Sequence, residues 1–155
     1  MKTKYILHGG MAHHTNLEND AFFQEILKDT PTNPKILLVY FAKELDRIPI
    51  NKAEDIAQFQ KNKGNKHLSF KVAEEQSFPK QVQRSDIVYL HGGATLKLLE
   101  TLKKFPNLKE LFQGKTIAGE SAGAYALSLY CYSQSANGVI QGLGIIPIKI
   151  ICHYE

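Results

Sequence analysis

Residues 116–128 read TIAGESAGAYALS, and the fold turns on how that stretch is parsed. An apolar run reaches Ala118 and stops at Gly119. The polar pair Glu120 and Ser121 follows, and the small residues Ala122, Gly123 and Ala124 lead into a helical pattern. Ser121 is either a nucleophile held on a sharp strand-to-helix turn or a small residue in a tight packing corner. The order strand, Gly119-Glu120-Ser121-Ala122-Gly123, helix is that of the G-x-S-x-G elbow. There the serine occupies strained backbone at the top of a sheet, and glycines two residues to either side relieve the crowding. The N–H of Ala122 then points toward a developing oxyanion. This context favours the nucleophile.

Working outward, the same vocabulary recurs at two more strand ends. Ile6, Leu7 and His8 precede Gly9 and Gly10, and Tyr89, Leu90 and His91 precede Gly92 and Gly93. Paired glycines permit backbone conformations closed to other residues and let a substrate approach main-chain N–H groups. In a parallel sheet all three turns share one edge, which is the expected site. Strands are expected at residues 4–8, 36–41, 68–72, 87–91, 116–118 and 149–152, mostly as unbroken apolar runs of the kind covered on both faces. Between them, Thr15 to Glu18 has the spacing of a capping box, with Phe22, Phe23, Ile26 and Leu27 as one apolar face. Residues 50–61 place Ala53, Ile56, Ala57 and Gln60 at helical spacing; Leu96, Leu99 and Leu102 mark a third helix, and residues 122–130 a fourth. This alternation predicts one α/β domain over residues 1–155, doubly wound, its mainly parallel sheet flanked by helices, with ligands at the carboxyl ends of the strands.

Composition narrows the function classes. No apolar run approaches the roughly 20 residues that span a bilayer, which argues against a membrane role. The N-terminus lacks the length of a secretory signal, so a cytoplasmic protein is expected. Cys131 and Cys152 are too few for a disulfide framework or metal cluster and are expected reduced and buried. A net charge of +4 raises nucleic-acid binding, but the lysines are spread along predicted helices and loops without a nucleic-acid motif, so no such partner is expected.

A serine nucleophile needs a base. His67 sits in a lysine-rich hydrophilic stretch, and His13 and His14 precede a helix, as surface and loop residues do. His8 and His91 end strands and either line the cleft or pack. His153 ends the apolar run IKIIC after the nucleophile in chain order, as in α/β serine hydrolases, and is the candidate base.

The segments YLHGGATLKLL (89–99), AGESAGAYALS (118–128) and GLGIIPIKIICHYE (142–155), in that order, resemble the dipeptidase E and cyanophycinase family of serine peptidases. The core of that family is similar to the class I glutamine amidotransferase fold. The resemblance runs through nearly the whole chain, including the first strand with Gly9 and Gly10. It implies Ser121 as the nucleophile and His153 as the base. It implies Gly92, Gly93 and Thr95 as a GGxT turn whose backbone N–H joins that of Ala122 in an oxyanion hole, with Gly10 in a substrate-facing turn. The implied activity is acyl transfer from short peptides, after an N-terminal aspartate in the dipeptidases and along an aspartyl polymer in relatives, with no metal or other cofactor.

The chain departs from the family in three places. The family's triad glutamate lies well beyond the histidine, whereas this sequence stops two residues after His153, leaving Glu155 and Glu120 as candidate acids. A chain shortened in this way is expected to leave residues 149–152 as an exposed sheet edge, covered in a homodimer or swapped arrangement. Ala94 stands where relatives often carry asparagine, and neither Arg47 nor Arg84 falls in a matched motif. The rival readings are a catalytically weak or inactive binding domain of the same fold and a glutamine amidotransferase domain, which would require a cysteine nucleophile.

Overall fold

The run KILLV over Lys35–Val39 shows why the apolar strands are unbroken. In the computed structural model, which describes residues 2–134 and 136–153, Ile36 and Leu38 pack to one side of a sheet and Leu37 and Val39 to the other. The sheet has five parallel strands, β1 (Lys4–His8), β2 (Lys35–Val39), β3 (Ser69–Val72), β4 (Ile87–Leu90) and β5 (Thr116–Glu120), in the order β1-β5-β4-β2-β3. On one face lie α1 (Leu17–Leu27) and α2 (Ile48–Asn62), which contribute Phe22, Phe23, Ile26 and Phe59. On the other lie α3 (Phe78–Gln83), α4 (Thr95–Leu102), α5 (Leu108–Leu111) and α6 (Ala122–Leu127), through Phe78, Val82, Leu98, Leu102 and Leu127. The expected doubly wound α/β fold is therefore present. From β2 the chain continues outward to β3, and from β4 it continues the opposite way to β5. Neighbouring strands whose connections diverge leave a crevice beyond their carboxyl ends.

Several local expectations change. The cap of α1 is Asn16, whose Oδ1 accepts from Asn19 N at 2.8 Å, and not Thr15. In α4 Leu96 is exposed while Leu98 is buried. Of the α2 residues expected at helical spacing, Ile56 is half-buried against the core while Ala53, Ala57 and Gln60 face solvent, and Asn51, Asp55, Gln58 and Phe59 are buried. The physical reason is the company this face keeps: Phe59, with Ile48 and Ile56 beside it, meets the apolar layer, while the rest meets strand ends and loop carbonyls, which demand hydrogen bonds.

The largest difference follows the elbow. The helix expected to reach residue 130 ends at Leu127, where Ser128 turns extended and its Oγ donates to Tyr125 O at 2.8 Å. The chain then forms a second, three-stranded sheet of β6 (Tyr130–Ser133), β7 (Gly138–Gln141) and β8 (Lys149–Ile151), in the order β7-β6-β8. Strand β7 is antiparallel to β6 and β8 is parallel to it. Residues 149–152, expected as a strand of the parallel sheet, thus supply the edge of a separate one, with Ile151 exposed. This small sheet packs against α6 through Cys131, Cys152, Ala124 and Tyr125. Burial pushes the Cys152 thiol up to about 11, which keeps it protonated near neutral pH. No helix among the described residues is long and apolar enough to cross a membrane.

Candidate active site

Strand β5 is buried along its whole length and delivers Ser121 at φ 50, ψ −108, backbone that costs a non-glycine residue on the order of 1–3 kcal/mol. The flanking glycines make the turn sterically feasible. A Cβ on Gly119 would stand 2.6 Å from the carbonyl carbon of Gly123, and one on Gly123 would overlap the carbonyl oxygen of Leu90. Strand β5, helix α6 and strand β4 therefore approach at backbone distance. The Ser121 N–H is spent on His8 O at 2.9 Å, which ties the elbow to β1 and leaves the hydroxyl as its free polar group.

That hydroxyl meets His153, with Oγ and Nε2 2.8 Å apart. The histidine is held by its neighbours in the chain. Cys152 N donates to the Tyr125 hydroxyl at 2.8 Å, and His153 N donates to Gly9 O at 3.2 Å. Gly10, at φ 125, lies under the imidazole: a Cβ there would overlap the ring, standing 2.7 Å from Nε2. The structure thus brings Gly10 to the histidine, where the sequence suggested a substrate-facing turn. Gly10 N in turn donates to His8 Nδ1 at 3.0 Å, and His8 Nε2 lies 2.7 Å from Asn19 Oδ1, so His8 fixes this loop and takes no part at the hydroxyl.

The second glycine pair sits beside the elbow. A Cβ on Gly92 would stand 3.1 Å from Ser121 Cβ and 3.8 Å from Ala122 N, while Gly93, at φ 147, leaves no room for one against Ala42. Gly92, Gly93 and Ala122 therefore surround one side of the nucleophile. Thr95, buried, begins α4 and lines a small recess of about 150 Å³ together with Gly93, Ser121, Tyr125 and His153. The main cleft, of about 340 Å³, holds Ser121 and His153 between the loops after β1, β2 and β4, and includes Lys43, Arg47, Asn51 and Glu54. Neither Lys43 Nζ nor the Arg47 guanidinium has a side-chain partner among the described residues. Arg84 lines a different and larger groove of about 540 Å³ on the α3 side, away from the serine.

Of the two candidate acids, Glu155 lies outside the described residues. Glu120 points away from His153: its Oε1 accepts from Ala12 N at 3.0 Å and its Oε2 from the Tyr89 hydroxyl at 3.3 Å. Among the described residues no carboxylate hydrogen-bonds to His153. The histidine that does have carboxylates is His91, buried at the end of β4, with Nδ1 2.8 Å from Asp55 Oδ2 and 3.6 Å from Glu120 Oε2. Tyr40 donates its hydroxyl proton to the same Asp55 oxygen at 2.8 Å. Burial raises the Asp55 carboxyl above the ordinary range, and the bonds from His91 and Tyr40 pull it back. Sequence analysis did not find Asp55; the signal was there in Asn51, Asp55 and Gln58 at helical spacing on one face. His13 lines the cleft and His14 and His67 are exposed. Among the described residues no three His, Cys, Asp or Glu side chains converge to hold a metal ion.

The model of peptidase family S51 matches residues 5–155. Among solved structures, the chain is similar to a peptidase from an acI-B1 Actinobacterium, at 23% identity and a TM-score of 0.70 over 95% of this chain and 66% of that one. It is also similar to a peptidase E candidate from Listeria monocytogenes EGD-e, at 19% identity and a TM-score of 0.58 over 84% of this chain and 63% of that one. Likeness at these identities shows the fold. The chain spans a little under two thirds of the length of either structure. No curated protein matches it.

Proposed function

Because this chain belongs to peptidase family S51, we propose that it is a serine peptidase that hydrolyses short peptides by acyl transfer through Ser121 and His153, with a preference for an N-terminal aspartate. The observation that carries this reading is the 2.8 Å contact between Ser121 Oγ and His153 Nε2 on a strained elbow. As Oγ attacks the scissile carbonyl carbon, its proton passes to Nε2, and the carbonyl π pair moves onto oxygen beside the N–H groups of Ala122 and the Gly92-Gly93 turn. Collapse of that adduct breaks the C–N bond, and the leaving amine takes the proton from Nε2. Water repeats the sequence on the acyl ester and restores the serine. The unpartnered Lys43 and Arg47 suit the carboxylate of an acidic residue.

One observation favours a second reading, a weakly active or silent binding domain: no carboxylate among the described residues orients His153. Loss of that partner costs about ten-thousand-fold in a worked serine protease case, while the nucleophile and oxyanion hole persist. The test is intact mass after a fluorophosphonate. Single addition to the wild type, abolished in Ser121→Ala and His153→Ala, is the expected result. No addition to the wild type leaves the binding domain as the better account.

A further inference from the structure

Strand β3 is the outer edge of the large sheet, and its two faces differ. Phe70 and Val72 pack into the layer that α1 and α2 cover, whereas Ser69 and Lys71 are exposed on the opposite face. Helix α3 stands off from that edge, and between them runs the groove of about 540 Å³, floored by the buried Leu37 of β2. Lys35, Lys71, Lys80 and Arg84 line it, against a single carboxylate, that of Glu74. Among the described residues none of those four cationic side chains makes a hydrogen bond or an ion pair. A groove with this balance of charge attracts an anionic ligand.

The backbone of the edge is open as well. Ser69 N donates to Pro34 O at 3.2 Å and Ala73 N to Leu38 O at 2.8 Å. Residues of a parallel strand bond to either side in alternation, so Phe70 and Val72 turn their N–H and C=O groups away from β2. Val72 O is taken by Gln81 Nε2 at 3.1 Å, and Gln81 Oε1 accepts from Glu74 N at 2.8 Å, so this side chain closes one end of the edge. The Phe70 N–H and C=O and the Val72 N–H remain turned to the open side. Donors and an acceptor in that order are answered by another extended peptide, and a phosphodiester backbone supplies no donor for Phe70 O. A second copy of this edge would bring its own Lys71 and be repelled. A strand with carboxylates on alternate residues would set them all on the face of the four cations while its backbone pairs with Phe70.

We propose that the β3 edge and the cationic groove beside it form a docking site for an extended acidic segment of another protein, which adds as a strand to the large sheet. The site shares no lining residue with the cleft that holds Ser121 and is independent of the peptidase reading.

The probe is acetyl-Glu-Val-Glu-Val-Glu-amide, titrated into isotope-labelled protein and followed by amide chemical shifts. Shifts should centre on Phe70, Lys71, Val72 and α3, and affinity should fall as salt is raised. The same peptide with lysine for glutamate should bind at least about tenfold more weakly, because like charges then meet. Two further probes are N-methylated at the valines or at the glutamates. One of these should lose about tenfold and the other little, since only alternate amides face β3. Lys71→Glu combined with Arg84→Glu, both at exposed positions, should weaken the glutamate peptide about tenfold and leave the unfolding midpoint unchanged. No binding, equal binding of the lysine peptide, equal binding of both methylated peptides, shifts confined to the cleft around Ser121, or tighter binding of a single-stranded oligonucleotide overturns the proposal. The peptide comparisons leave the protein unaltered and stand even if the double variant fails to fold.

Discussion

The two sheets of this molecule are built on different physics, and the candidate catalytic pair straddles them. The five-stranded sheet is parallel, with helices on both faces; its inner strands β4 and β5 are buried along their whole length. The three-stranded sheet is half-exposed, with Tyr130, Tyr132, Val139 and Ile151 open to solvent, and it ends in an edge strand. The nucleophile comes from the first and the base from just past the end of the second. Ser121 is fixed by the core; His153 is fixed by two backbone hydrogen bonds and by the space above Gly10. The geometry of the pair is therefore only as firm as its weaker half.

This contrast can be broken at the strong end first. Gly123→Ala puts a Cβ 2.8 Å from Leu90 Cβ and onto its carbonyl oxygen, so the central sheet must move. The expected loss is about 3 kcal/mol in urea unfolding, at the top of the range for overpacking, with activity falling alongside. Gly10→Ala tests the weak end. It displaces the His153 ring, and phosphonylation of Ser121 should slow about a hundredfold, the effect of a misplacement of about 1 Å. The accompanying stability loss should be only about 1 kcal/mol, from alanine at positive φ. A loss of fold equal to that of Gly123→Ala would show that the two sheets form one cooperative unit. Tyr125→Phe is the finest probe: it removes the acceptor for Cys152 N. About 1 kcal/mol is expected, read as a roughly fivefold slower phosphonylation with little change in the unfolding midpoint.

The same contrast decides what the sequence could disclose. Strands covered on both faces announce themselves as apolar runs, so β2, β4 and β5 are legible, and so is the elbow, whose glycines answer to local sterics; β1 and β3, only partly buried, are legible from shorter apolar stretches. The strands β6 and β7 are short and only half-buried, and the segment 122–130 reads equally well as a longer helix. One cue was present: Asn137 and Gly138 form an N-G pair, and Asn137 takes the positive φ that such hairpins use. Helix α2 fails for a different reason. Its buried side chains are mostly polar, and hydrophobic spacing assigns a helix face correctly only when that face meets an apolar layer. The pairing of Asp55 with His91 is long-range, 36 residues apart in the chain, and no local pattern encodes it.

Edge strand β8 has a consequence for the order in which the candidate site comes apart. A half-exposed strand paired on one side opens at lower free energy than the buried centre of a sheet. The arm carrying His153 should therefore come loose before the centre of the large sheet under mild denaturant or heat, while Ser121 remains on an intact elbow. Phosphonylation of Ser121 should therefore be lost before the chain unfolds and return once the arm settles back, so a sample that no longer reacts is disarmed well before it is denatured.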